Sequence, residues 1–264
     1  VVTRMAPCHV RFGSFELFYH RRQYAEVRQL ADWVIDEHLP QLRDQTQAYV
    51  ALLDTVVTRT AQLIAQWQAV GFCHGVMNTD NMSILGVTID YGPYGWLEDF
   101  DPSWTPNTTD AQGRRYAYGN QPQIAQWNLL QLANALYPLL NEKEPLEEGL
   151  KIYADVFQAE WPAAVAQKLG LTAPAQAGDD ELQADLFKLL AEVETDFTIF
   201  FRALARVPVE SDPAATSDAA LIEPLKPAFY DENAASAPPA ALQVFPSNVQ
   251  LDSTSVCVPS LRAS

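Results

Sequence analysis

Asp80, Asn81 and Asp90 bring two carboxylates and an amide oxygen into one short stretch, residues 80–90, in which polar and apolar side chains alternate. Around Gly86, Met82, Ile84, Val87 and Ile89 are apolar, whereas Asn81, Ser83, Thr88 and Asp90 are polar. That is the period-two pattern of two short strands with one buried face. A two-residue turn at Leu85-Gly86 would oppose Asn81 to Asp90, with Cβ atoms about 5 Å apart on the same face. An amide oxygen and a carboxylate at that separation suit a hard cation such as Mg²⁺, which takes few protein ligands and fills its shell with water and phosphate oxygens. Asp80 falls in the loop just before, where it could face an incoming hydroxyl. The same residues also suit an ordinary surface hairpin with a polar outer face. Leucine is a poor residue for the positive φ of a type I′ turn, so a slightly longer loop is the other geometry to expect.

Longer words surround this stretch. His74-Gly75-Val76-Met77-Asn78-Thr79-Asp80-Asn81-Met82-Ser83-Ile84-Leu85-Gly86 runs into Thr88-Ile89-Asp90-Tyr91-Gly92-Pro93. Upstream stands Val2-Thr3-Arg4-Met5-Ala6-Pro7-Cys8-His9-Val10-Arg11-Phe12-Gly13-Ser14-Phe15-Glu16, and downstream Gly113-Arg114-Arg115-Tyr116-Ala117-Tyr118-Gly119-Asn120-Gln121-Pro122 with Trp127-Asn128-Leu129. In this order, over residues 1–207, they resemble the SelO family, also called YdiU, a group of protein-kinase-like protein adenylyltransferases. Words of this length in series are far more specific than a short glycine motif.

The resemblance implies roles. Asp80 matches the family's proposed catalytic base, and Asn81 and Asp90 match its metal ligands, for Mg²⁺ or Mn²⁺. Asp90-Tyr91-Gly92 stands where kinases carry Asp-Phe-Gly, and Asp80-Asn81 is a compressed form of the kinase catalytic-loop pair. Arg4 and Arg11, together with Asp90, would hold the nucleotide, the two arginines gripping phosphates bidentately. ATP would lie reversed relative to ordinary kinases, so that AMP passes to a Ser, Thr or Tyr hydroxyl of a protein substrate and pyrophosphate leaves. Some members of the family are reported to use UTP as well.

The chain opens on Val1 without a methionine, and no glycine-rich phosphate loop occurs in it. In kinase-like folds that loop, the ATP-holding lysine and its glutamate partner precede the catalytic loop. The expectation is therefore a fragment: a mainly α fold with a small β-hairpin, forming the C-terminal lobe of a protein-kinase-like fold over residues 1–207. Residues 208–264 are rich in Ala, Pro and Ser and read as a poorly ordered tail. Cys257 does not reproduce the family's redox-active ending.

Apolar residues recurring at three and four predict helices from Tyr24 to Ile35 and from Tyr49 to Val70, the second ending at Gly71. Glu98 to Pro122 reads as an irregular activation-segment analogue. Helices resume over Ile124–Leu140, Leu146–Leu169, Glu181–Ala191 and Thr195–Arg206. Trp33, Trp67 and Trp127 fall on apolar helical faces and read as core. His74 sits where a kinase catalytic-loop histidine braces the loop, His9 reads as packing, and Glu98, Asp99 and Asp101 read as a solvated loop. Arg114, Arg115 and Tyr116 could organise the active-site loop.

At 264 residues and 48% hydrophobic, the chain can bury one sizeable core. A formal net charge of −16 argues against nucleic acid and anionic membrane surfaces as partners, both of which demand clustered Lys and Arg. No apolar run approaches the ~20 residues of a membrane span. Cys8, Cys73 and Cys257 are widely spaced and odd in number, which suggests neither a disulfide framework nor a zinc site. The expected location is a reducing intracellular compartment, a bacterial cytoplasm or a mitochondrion. Two other functions stay open: an ordinary kinase transferring the γ-phosphate, and a catalytically dead helical module that binds partners.

Overall fold

A computed structural model describes residues 5–171, 177–207 and 218–231. Arg4 and Cys257, singled out above, lie outside the described residues. The fold is mainly helical, with helices α1 (Phe12–His20), α2 (Tyr24–His38), α3 (Ala48–Ala69), α4 (Gln121–Leu140), α5 (Glu144–Leu169), α6 (Asp179–Glu192), α7 (Phe197–Leu204) and α8 (Asp218–Ile222). The strands are two residues each, β1 (Phe72–Cys73) and β2 (Gly95–Trp96), paired with each other. Of the stretch expected as a tail, residues 218–231 are described and hold α8 and a 3-10 turn, Glu223–Ala228. The rest of it lies outside the described residues.

The chain divides into two compact units, the first being residues 1–68, 73–95 and 103–160. Within it α1 packs on α2 and α4, and α2 on α4. The apolar stripe of α2 explains its place: Val27, Ala31, Val34 and Ile35, at helical spacing, are all buried. Phe12 and Phe15 of α1, Leu52 and Leu53 of α3, Ile84 and Leu129 are completely buried and fill the core of this unit.

The second unit, residues 69–72, 96–102 and 161–264, is held by aromatic stacking. Phe197 lies 5.7 Å from Phe100 and 5.0 Å from Phe201, and Phe187 lies 5.3 Å from both Phe100 and Trp161. Asp196 caps α7 by accepting the Ile199 amide at 2.7 Å. Lys168 is drawn into this cluster. Its ammonium sits 3.6 Å and 4.1 Å from the Phe201 and Phe197 ring centroids and donates to the Ala69 carbonyl at 2.7 Å.

Three expectations need correction. The hairpin around Gly86 does not form. Ser83 and Gly86 close a turn, but Ser83 bridges Arg11 rather than Thr88. Gly86, at φ 68°, lies against α3, where a Cβ would come within 2.6 Å of the Arg59 Cβ; the glycine serves close approach, not a hairpin. Helix α1 was unexpected, because Gly13 and a run of aromatics mask its short period. Trp33 and Trp127 are 45% and 44% exposed, and only Trp67 is core. Trp127 lies under the Arg115 guanidinium, 4.8 Å from ring centre to Cζ, and Trp33 meets the His38 ring edge-on.

Candidate active site

The chain enters α1 through an extended Arg11, φ −117° and ψ 162°, and this short segment pairs with the residues that follow Asn81. Phe12 N–H donates to the Met82 carbonyl at 3.0 Å and Ile84 N–H to the Val10 carbonyl at 3.1 Å. Ser14 anchors the helix entry, its hydroxyl accepting from the Arg11 amide at 3.3 Å. The entry to α1 and the exit from residues 79–81 are thus one hydrogen-bonded piece.

Thr79, Asp80 and Asn81 form a 3-10 turn that packs on α1. The buried Thr79 hydroxyl donates to Glu16 Oε2 of α1 at 2.5 Å, while Asp80 next to it is exposed. Both amide hydrogens of Asn81 are committed, to the Val76 carbonyl at 2.9 Å and to Asn78 Oδ1 at 3.2 Å. That fixes the flip of the amide and leaves Asn81 Oδ1 as the atom with lone pairs to offer.

Polar side chains, buried at Gln121 and Asn128 and half-buried at Asn107, brace the loop before this turn. Asn128 of α4 donates to the Met77 carbonyl at 2.7 Å, Gln121 accepts the His74 amide at 2.9 Å, and Asn107 donates to the Gly75 carbonyl at 3.0 Å. The His74 ring is wholly buried, stacked on Trp67, and its Nε2 bonds the Ile89 carbonyl at 2.8 Å, so Nε2 carries the proton. Burial holds His74 below the ordinary histidine range, consistent with a neutral bracing ring. Burial likewise pushes the Cys73 thiol up to about 12, which makes it inert.

Asp90 follows Ile89 with φ 54°, a left-handed conformation that aspartate tolerates better than most residues. Its carboxylate meets Arg11 fork to fork, Nε to Oδ2 at 2.5 Å and Nη2 to Oδ1 at 2.8 Å, while Nη1 donates to the His9 carbonyl at 2.8 Å. The Arg11 hydrogen bonds hold Asp90 below the usual carboxylate range, and Asp90 in turn raises Arg11. The negative charge of Asp80 adds a smaller effect of the same sign on Arg11.

The donors suit a hard cation. Asn81 Oδ1 and the second lone pairs of the Asp90 oxygens are the kind of oxygen donor such a cation takes, and among the described residues no group of three or more His, Cys, Asp or Glu forms a self-sufficient cage. A cation here would need phosphate and water oxygens to complete its shell, as Mg²⁺ does.

The family model of protein adenylyltransferase SelO matches residues 1–236. The chain belongs to the SelO family. It is 49% identical over 254 residues to the protein nucleotidyltransferase YdiU of Nitrosospira multiformis, covering 89% of this chain and 45% of the relative. To that of Aromatoleum aromaticum it is 53% identical over 243 residues, covering 90% and 44%. To that of Rhodopirellula baltica it is 49% identical over 238 residues, covering 87% and 44%. The chain therefore spans under half the length of these curated relatives.

In this SelO-family chain Arg11 and Asp90 pair directly, Asp80 lies beside Gly13 two residues along from Arg11, and Asn81 sits on the same turn as Asp80. Arg4 lies outside the described residues. His9 contributes its carbonyl, not its ring, to Arg11. Sequence reasoning passed over Gly13, Glu16, Asn107, Gln121 and Asn128 as parts of the site. Asn128 left a legible signal, a polar residue among the apolar positions of α4; Glu16 and Gly13 left none, because their partners are remote in sequence. No helix among the described residues is long and apolar enough to cross a membrane.

Proposed function

We propose that this chain is the C-terminal lobe of a kinase-like protein adenylyltransferase, transferring AMP from ATP to a Ser, Thr or Tyr hydroxyl of a protein substrate. The observation that carries the reading is the ion pair of Arg11 with Asp90 beside the hydrogen-bonded piece of chain that holds the Asp80 turn against α1. Asp80, exposed and in the middle of a pinned turn, orients the acceptor hydroxyl and takes its proton as the oxygen attacks the α-phosphorus. The bond from that phosphorus to the β-phosphate oxygen breaks, and pyrophosphate departs with the electron pair. Arg11, its fork turned from Asp90 onto the nucleotide and joined by Arg4, neutralises phosphate charge. Asn81 and Asp90 would hold Mg²⁺ or Mn²⁺, which when bound supplies positive charge to the phosphate oxygens. Such transfers depend on positioning and charge stabilisation more than on covalent help, and this residue set provides both. UTP in place of ATP would meet the same phosphate contacts.

Buried free thiols at Cys8 and Cys73 suit a reducing compartment. Calorimetric titration of the chain with ATP and Mn²⁺ tests the nucleotide site. The reading predicts saturable binding that Asp90→Ala abolishes and Arg11→Ala weakens by roughly tenfold or more, the loss of one charge-assisted phosphate contact. Binding indifferent to both substitutions would refute it and favour the partner-binding module.

A further inference from the structure

We propose that Gly13 is a positioning residue for Asp80: the side chain absent at position 13 leaves the space in which the Asp80 carboxylate lies, and this sets the direction in which that carboxylate points. The inference rests on the reading of Asp80 as the group that orients the acceptor hydroxyl.

A Cβ added to Gly13 would fall 2.0 Å from Asp80 Oδ1 and 2.9 Å from its Cγ, distances that non-bonded atoms do not share. Conformation does not demand a glycine here. Gly13 is in the first turn of α1 with ordinary negative φ, and alanine is the better helix former at such a place. Space is the remaining reason, and the space is filled by the proposed base.

What would give way on adding a methyl group follows from what is pinned. The backbone of the turn is fixed to α1 by Thr79 on Glu16 and by the pairing of Phe12 with Met82 and of Val10 with Ile84. The Asp80 carboxylate is exposed, and among the described residues no hydrogen bond holds it. The new methyl group would also stand 3.1 Å from the Asp80 Cα, which a shift of the turn by a few tenths of an ångström relieves, so the carboxylate turns about χ1 while helix and turn stay hydrogen-bonded to each other. A glycine kept for packing behaves in the opposite way: its replacement lowers stability and leaves the Asp80 rotamer unchanged.

The test compares wild type, Gly13→Ala, Asp80→Ala and the double variant as the whole chain. Three-bond NMR couplings read the Asp80 χ1, thermal unfolding reads the fold, and α-labelled ATP reads transfer. We expect a single χ1 rotamer in wild type, a different one in Gly13→Ala, and a melting temperature little changed, the helix preference of alanine offsetting the crowding of the Asp80 Cα. We also expect kcat to drop about 10- to 100-fold with nucleotide KM unchanged, because misplacing a reacting group by about an ångström has that effect. Gly13→Ala should add nothing in the Asp80→Ala background. An Asp80 rotamer unchanged by Gly13→Ala, or already averaged in wild type, overturns the inference. A rotamer change with transfer indifferent to Asp80→Ala would instead refute Asp80 as base and leave the positioning intact.

Discussion

Arg11 and Asp90, 79 positions apart, meet through two parallel hydrogen bonds on a backbone that Asp90 bends into the left-handed region. Both side chains are about 30% exposed, so solvent screens the pair and its worth is about 1 kcal/mol or less. The pH dependence has a definite sign. Asp90 binds its proton less tightly in the fold than its ordinary value near 3.8, so the pair contributes above that value and loses its contribution as pH falls below it. The stability gap between wild type and Asp90→Asn, followed by denaturant unfolding, should stay flat from about pH 8 to pH 5 and shrink below about pH 4. The acids and Arg11 were legible as single residues because they stand in long, distinctive words. Their pairing was not, since spacing along the chain says nothing about which arginine reaches which acid. The space beside Gly13 is likewise a fact of three dimensions alone.

Helices α2 to α7 follow from apolar periodicity, and the bounds differ from expectation mainly at the ends, where capping decides. The alternation over residues 82–89 reports burial at Met82, Ile84 and Ile89, which are 3%, 0% and 2% exposed, but not at Ser83, buried on the face expected to be polar, nor at Val87, only half-buried. It misled about the partner: a buried alternating segment needs a hydrogen-bonded neighbour, and that neighbour is Val10–Phe12, not its own continuation. Gly86→Ala, placed at positive φ against α3, should lower stability by roughly 2 kcal/mol in chemical denaturation. Asn128→Leu would strand the Met77 carbonyl in the core, at a cost of about 1–3 kcal/mol, and should reduce transfer by loosening the loop before Asp80. In the second unit, burial lowers Lys168 to about 7, while the Phe197 and Phe201 rings and the Ala69 carbonyl favour its charged form and oppose that shift. Burial is the effect expected to win. With the folded value depressed, the unfolded chain binds more protons between about pH 7 and the ordinary value of 10.5, so stability rises with pH across that window. Thermal melts should show wild type gaining on Lys168→Met from pH 6 to pH 9.

At the scale of the whole molecule, a net charge of −16 sets the long-range field. Self-repulsion in so acidic a chain is relieved by salt, whose screening length is about 10 Å at 0.1 M. The melting temperature should therefore rise by a few degrees between about 10 and 150 mM NaCl, and a fall would mean that attractive ion pairs dominate instead. The same field disfavours polyanions. Membership of the SelO family was legible from words spread over most of the chain. The division into two compact units was not, because both draw on segments scattered along the sequence. The most direct measurement is to supply α-labelled and, separately, γ-labelled ATP with Mg²⁺ or Mn²⁺ and a protein acceptor, using wild type, Asp80→Ala and Asp90→Ala. Protein labelled from the α-position alone, and lost in both variants, is the predicted result; labelling from the γ-position, or α-labelling that survives Asp80→Ala, would contradict the account.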